Sequence, residues 1–207
     1  LNNYHEINEV ENKNIKNSLD KSIVYIFNNY LIKITNCLDK FQFAEALNLI
    51  EDFFWNYFTD NYIELVKNRR QSGNPSDSIS ASTTLILVLE NLLKLFAPYV
   101  PMITEEIWTT MHPEKKSIHI QDWPEKINIE FGNISSSQFE LAREAISSVR
   151  KEKTSLGIGL GKEIEKIKII TNSEKLSVLK EIISDVKDAS RSSEIELGVD
   201  EGEDGIR

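Results

Sequence analysis

From about Gln42 to Arg70, apolar residues return every three or four positions: Phe43, Ala46, Leu47, Ile50, Phe54, Tyr57, Phe58, Tyr62 and Leu65. That period lines one side of an α-helix, and at 1.5 Å per residue the helix would be about 40 Å long. A rod of that length cannot bury its stripe alone, so the rest of the chain must supply partners. Gln71 to Asp77 (QSGNPSD) concentrates turn formers and breaks it. Upstream, Ile23, Ile26, Phe27, Tyr30, Leu31, Ile34 and Leu38 predict an amphipathic helix from Ser18 to about Lys40. Downstream, Ser78 or Ser80 can cap a third helix whose centre, Leu85 to Leu89 with Leu92, Leu93, Leu95 and Phe96, is apolar almost all round, as a helix enclosed by neighbours requires. Pro98 and Pro101 interrupt it, and Thr104 to Met111 restarts a short helix, with Thr104-Glu-Glu106 read as its capped first turn. The expected architecture is mainly α, an antiparallel four-helix bundle closed by an extended segment, Ser117 to Pro124, lying across it.

Beyond Phe131 the pattern changes. Gln138–Lys153 is helical, Ser155–Gly161 is a loop with three glycines, Ile164–Ile170 alternates like a strand, Glu174–Val186 is helical and Glu194–Val199 is a short strand. We therefore expect a mobile entry segment over 1–17, a helical domain over 18–130 and a small α+β appendage over 131–207. The entry segment holds six asparagines and few large apolar residues. Beginning at Leu1 with no signal-like stretch, the chain reads as an excised fragment. Its longest apolar runs fall well short of the roughly 20 residues that cross a bilayer. The single cysteine, Cys37, cannot form an intrachain disulfide and suits a reducing cytosol.

The net charge is −9, which weighs against general nucleic-acid affinity, although residues 194–207 alone carry −5. Cations are local. Lys67, Arg69 and Arg70 end the long helix, where they either offset its dipole, worth 0.3 to 1 kcal/mol, or contact phosphates. Arg143, Arg150, Lys151 and Lys153, with Lys162, are the other concentration, and are either a solvated face or a backbone contact. Among the aromatics most belong to the core stripe; Trp55 lies off it and is the better candidate for stacking on an unpaired base. Gly157 to Gly161 lacks the spacing of a phosphate loop, and His5, His112 and His119 have no partners at metal-ligand spacing, so neither a nucleotide nor a metal site is expected.

The stretch from Phe41 to Lys67, in its parts Phe41 to Leu47 and Phe53 to Lys67, resembles the pattern FxxAxxxxxxFxWxxFxDxYIExxK of valyl-tRNA synthetases, departing at Thr59 and Asn61, where many members have Cys and Trp. Leu92 to Trp108 (LLKLFAPYVPMITEEIW) resembles the LLxPxxPxxTEExW segment of the class I anticodon-binding bundle, and Ser117-Ile118 with Trp123-Pro124 is similar to its closing elements. Val149 to Lys153 before a glycine-containing loop resembles the region after the bundle in shorter, archaeal-type members, without a long coiled-coil arm. The resemblance implies a tRNA-anticodon-binding platform whose parent activates valine with ATP and joins it to a valine-specific tRNA. The HIGH and KMSKS motifs of that catalysis do not occur here, so no cofactor and no activity are expected of this chain alone. A cytoplasmic monomer is expected, tethered to a catalytic domain in the same chain. The corresponding domain of an isoleucyl enzyme, or a helical protein-interaction module without RNA, are the alternatives.

Overall fold

The computed structural model describes residues 11–71 and 74–200. The rest of the expected entry segment, residues 1–10, and the end of the acidic tail, residues 201–207, lie outside the described residues, as do 72 and 73 of the turn cluster. Among the described residues the fold is mainly helical with one two-stranded parallel sheet. Residues 11–17 lie against the helices: Ile15 is buried, and the backbone N–H groups of Lys16 and Asn17 donate to Ser80 Oγ at 3.0 and 3.2 Å.

Helix α1, Ser18–Asp39, is capped by Asn17, whose side chain accepts from Leu19 N, and buries Leu19, Ile23, Phe27, Leu31 and Ile34 on the face the spacing predicts. The expected second helix is a continuous rod of three parts: α2, Phe43–Asp52; a π-helical segment, Phe53–Tyr62; and α3, Ile63–Gln71. Its middle widens because side chains and backbone reach the carbonyl five residues back. Thr59 Oγ1 donates to Phe54 O at 3.0 Å, Asn61 Nδ2 donates to Asn56 O at 2.7 Å, and Ile63 N donates to Phe58 O.

Helix α4, Pro75–Phe96, starts earlier than Ser78 or Ser80. Asn74 caps it, accepting from Ser76 N at 3.2 Å, and Pro75 takes the first helical position, where a missing N–H costs nothing. Although α4 has the length and composition of a membrane span, Ala81, Val88, Leu92 and Leu95 are buried in the main core. Helix α5, Pro101–Met111, also begins ahead of the expected start, again with proline at its first turn. Thr104 Oγ1 therefore donates back to the carbonyls of Val100 and Pro101 instead of capping. Glu105 serves the return segment, accepting from Ser117 Oγ and Ile118 N at 2.9 Å each.

That return segment makes one 3-10 turn, Ile118–Ile120, then runs back along α1. Trp123 Nε1 donates to Thr35 Oγ1, Asn28 exchanges bonds with both backbone groups of Ile127, and Ser22 Oγ donates to Ser135 O. Three contacts at falling positions on α1 show the antiparallel course. Helix α6, Ser137–Ser155, strand β1, Ile164–Thr171, helix α7, Ser173–Ser190, and strand β2, Ser192–Val199, complete the described chain. β1, α7 and β2 form a βαβ unit whose strands pair in parallel from Ile164 opposite Ser192 to Thr171 opposite Val199. One hydrophobic core runs through both halves, from Phe27 and Phe53 to Phe139, Ile146, Leu179, Ile182 and Val186. A smaller cluster joins Leu93 of α4 and Ala97, which follows it, to Trp108, Met111 and Ile118.

Candidate nucleic-acid interface

At one end of the rod two turns meet. α1 stops at Asp39, and Phe41 adopts a left-handed backbone with φ 59°, so that Phe41 N and Gln42 N close the helix on the carbonyls of Leu38 and Cys37 at 2.9 Å. A left-handed conformation suits glycine, and a phenylalanine there is strained. It is also 79% exposed, its ring 6.2 Å from that of the exposed Phe43. The α4–α5 turn is fastened alongside by Tyr99, whose hydroxyl donates to Phe43 O at 2.8 Å. It presents Val100, Met102 (85% exposed) and Ile103 to solvent. His119 lies 3.2 Å from Pro101 O and brings the exposed Ile120 to the same turn. Two turns thus hold out aromatic and aliphatic groups that a hydrophobic core could have used.

The other end of the rod is built from charge. Arg69, expected to face phosphates, is only 6% exposed and fills the junction of four elements. Its Nη1 and Nη2 donate to the two carboxylate oxygens of Asp20 on α1 at 2.8 and 2.5 Å, and Nε donates to Asp185 Oδ1 on α7 at 2.8 Å. A further bond reaches Asp77 O at the start of α4. Asp20 also accepts from Tyr62 Oη at 2.7 Å and Ser80 Oγ at 2.6 Å. Arg69 is therefore removed from the candidate RNA contacts: its donors are spent inside the protein, on partners that only the tertiary fold brings together. Burial pushes Asp185 up to about 6, with Asp20 and Asp188 acting in the same direction and Arg69 opposing. Its Oδ2 is buried with no hydrogen-bond partner among the described residues, which adds to the cost of the charged form.

Beside this junction, the last turns of α3 and the end of α7 enclose an open cleft of about 450 Å³. Glu64, Lys67, Asn68, Glu163, Lys187, Asp188, Ala189, Arg191, Ser192 and Ser193 line it. Lys67 is exposed, 3.6 Å from Glu64, and Arg70 is exposed as well.

The second basic strip separates likewise. Lys153 is 3% exposed, and its Nζ donates to Leu160 O, Lys162 O and Ser190 O at 3.2, 2.7 and 3.1 Å, holding the glycine loop against the end of α7. Burial, with Arg191 nearby, lowers its pKa. Lys153 is thus a structural staple and not a phosphate contact. Arg143 pairs with Glu140 at 2.7 Å and lies over the Tyr57 ring at 5.2 Å, tying α6 to the rod. Arg150 is half-buried and Lys151 exposed. Trp55 is 55% exposed on the π-helical segment, its ring edge-on to Phe54. These residues are spread over three elements. The turn end, which no spacing argument singled out, is the more concentrated surface; its one sequence signal is the presence of Phe41, Pro101, Met102 and Ile103 within the two resembling segments.

The model of the anticodon-binding domain of tRNA ligase matches residues 20–170, from the first turn of α1 into β1. The chain belongs to the anticodon-binding domain family of tRNA ligases. The matched range carries the turn end, the rod with Arg69, and α6. Similar proteins include the valine–tRNA ligases of Tropheryma whipplei (strain Twist), 35% identical over 184 residues covering 88% of this chain, and of Methanothermobacter thermautotrophicus, 32% identical over 180 residues covering 86%. That of Ehrlichia ruminantium (strain Gardel) is 38% identical over 164 residues covering 77%. The chain spans about a fifth of the length of each of these relatives. The anticodon-binding family is thus established over the helical body, and the relatives extend the similarity beyond it.

Proposed function

We propose that this chain docks the anticodon stem and loop of a valine-specific tRNA, as part of a longer valine–tRNA ligase that activates valine with ATP. In this reading α1, the rod, α4 and α5 act as an antiparallel four-helix anticodon-binding bundle. The catalytic domain, its ATP and its valine lie elsewhere in the parent; this chain takes no cofactor, is silent in valine activation alone, and works as a monomer in the cytoplasm. Its contribution is orientation: binding energy gained at the loop holds the reacting end of a long substrate in place.

The observation that carries the reading is the turn end, where a chain of this family keeps Phe41, Phe43, Met102 and Ile103 exposed. Unpaired loop bases stack on such groups, and each stacked base contributes about 1 to 3 kcal/mol. An acidic chain with dispersed cations gains specificity from stacking that phosphate attraction alone would not give. The test is equilibrium binding of valine and isoleucine tRNA transcripts to the chain and to the double variant Phe41→Ala, Met102→Ala. We expect the parent to prefer the valine transcript and the variant to lose at least tenfold in affinity at unchanged melting temperature. Equal affinity of variant and parent would remove the turn end from recognition; preference for the isoleucine transcript would reassign the parent.

A further inference from the structure

The far end of the rod holds a surface that the turn-end reading leaves unused. Its cleft of about 450 Å³ is lined by charged and polar side chains, with Ala189 the one apolar residue among them. Small-molecule sites are mostly apolar with a few polar groups, so this lining suits a hydrated, charged polymer better than a compact ligand. Lys67, Lys187 and Arg191 are balanced by Glu64, Glu163 and Asp188. Cations spaced between carboxylates, an amide and hydroxyls match a ribose–phosphate strand, in which phosphates alternate with hydroxyl groups that donate to carboxylates and accept from Asn68 or Ser193. The exposed Lys162 precedes the lining residue Glu163 in sequence.

The wall is also held in place before any ligand arrives. Lys153 fixes the glycine loop to Ser190 O, and Arg191 Nη1 donates to Gly161 O at 3.0 Å. Arg191 has φ 55°. Among the described residues, Phe41 and Arg191 are the non-glycine residues with positive φ. One ends α1 at the turn end and the other caps α7 beside this cleft, its N–H donating to the carbonyls of Lys187 and Asp188, so helix termination fixes where the Arg191 side chain starts.

We infer that the cleft between α3 and α7 is a second RNA contact, taking ribose–phosphate backbone of the same tRNA whose loop meets the turn end about 40 Å away along the rod. This rests on the tRNA reading above and adds to it a second point of attachment. Two separated contacts fix the direction of a stem as one cannot, and the second forms intramolecularly once the first is made.

The experiment is hydroxyl-radical footprinting and salt-dependent titration of a valine tRNA transcript on the 207-residue chain. The variants are Lys67→Glu with Lys187→Glu, and Arg191→Gly, whose glycine accepts the left-handed backbone. The parent should protect the loop and a separate backbone stretch. The lysine variant should lose the separate stretch alone, weaken binding about tenfold and flatten the log–log salt slope by roughly 0.7 to 0.9 for each phosphate contact removed. Arg191→Gly should lose protection at the same stretch, and Phe41→Ala should do the reverse, losing the loop and keeping the backbone. Folded cleft variants with the parent's footprint and slope would overturn the inference while leaving the turn-end reading intact. A parent that protects no part of the transcript would overturn both. Inorganic phosphate perturbing the cleft while the transcript leaves it unchanged would make it a site for small anions and would also overturn the inference.

Discussion

The two ends of the rod are built from opposite materials. At the turn end, apolar groups stand in water: Phe41, Phe43, Met102 and Ile103 are exposed. At the junction end, charge is buried: Arg69, Asp20 and Asp185 sit where a hydrophobic core would be cheaper to build. Residue type alone would have assigned the arginine to the surface and the phenylalanine to the core. The difference teaches that position in the assembly decides. An arginine is buried when two other helices bring it carboxylates, and a phenylalanine is exposed when its backbone is held in a left-handed turn.

The largest expected effect tests the buried end. Arg69→Ala leaves two carboxylates without their shared cation and should destabilise the chain by about 3 to 5 kcal/mol. Arg70→Ala, one residue on and exposed, should change stability by no more than about 0.5 kcal/mol. Denaturant midpoints of the two variants make the comparison, and similar values would show that Arg69 is not the junction's anchor.

Next in size is a proton-linked effect. The folded state holds the Asp185 proton more tightly than the unfolded chain, about 6 against the ordinary 3.8. The contribution of this group to stability is therefore fully present below about pH 3.8 and lost as pH rises to about 6, an effect of order 2 to 3 kcal/mol. Asp185→Asn, which keeps an oxygen for Arg69 Nε, should remove that decline. Subtracting the parent's stability from the variant's between pH 4 and 7 should give a difference that rises with pH; a flat difference would place the proton elsewhere.

The smallest effect belongs to the exposed end. Phe41→Gly relieves the left-handed backbone but makes the unfolded chain more flexible, so stability should move by less than about 1 kcal/mol. tRNA affinity should still fall, by an amount similar to that for removal of one stacked base. A large loss of stability would mean that the Phe41 ring supports the fold.

Much of the fold was legible because period and punctuation are local. Ser18 to Asp39, the two helices and two strands after Phe131, and the rod from Phe43 to Gln71 all follow from apolar spacing and turn residues. Helix starts moved where prolines were read as breaks: Pro75 and Pro101 each occupy a first turn, where proline is at home. The π-helical segment was not legible, since it depends on Thr59 and Asn61 reaching carbonyls five residues back. The parallel pairing of β1 with β2 is likewise a long-range fact. For the interface, Lys67, Arg70, Lys151 and Trp55 are exposed as surface reasoning expects. Arg69 and Lys153 are not, because Asp20, Asp185 and the Ser190 carbonyl are far from them in sequence.

The widened middle of the rod also acts as a phase setter. An α-helix advances about 100° per residue at 3.6 residues per turn, so one residue more or fewer between Asp52 and Ile63 changes which compass direction each end faces. Removing Asn61 and allowing the segment to close into α-helix would swing Phe43 and Arg69 out of their present alignment, although neither residue had changed. Either the junction or the turn end would then lose its neighbours. The length of this segment is therefore a specification of angle as much as of distance: it lets the rod carry an orientation from one end of the molecule to the other.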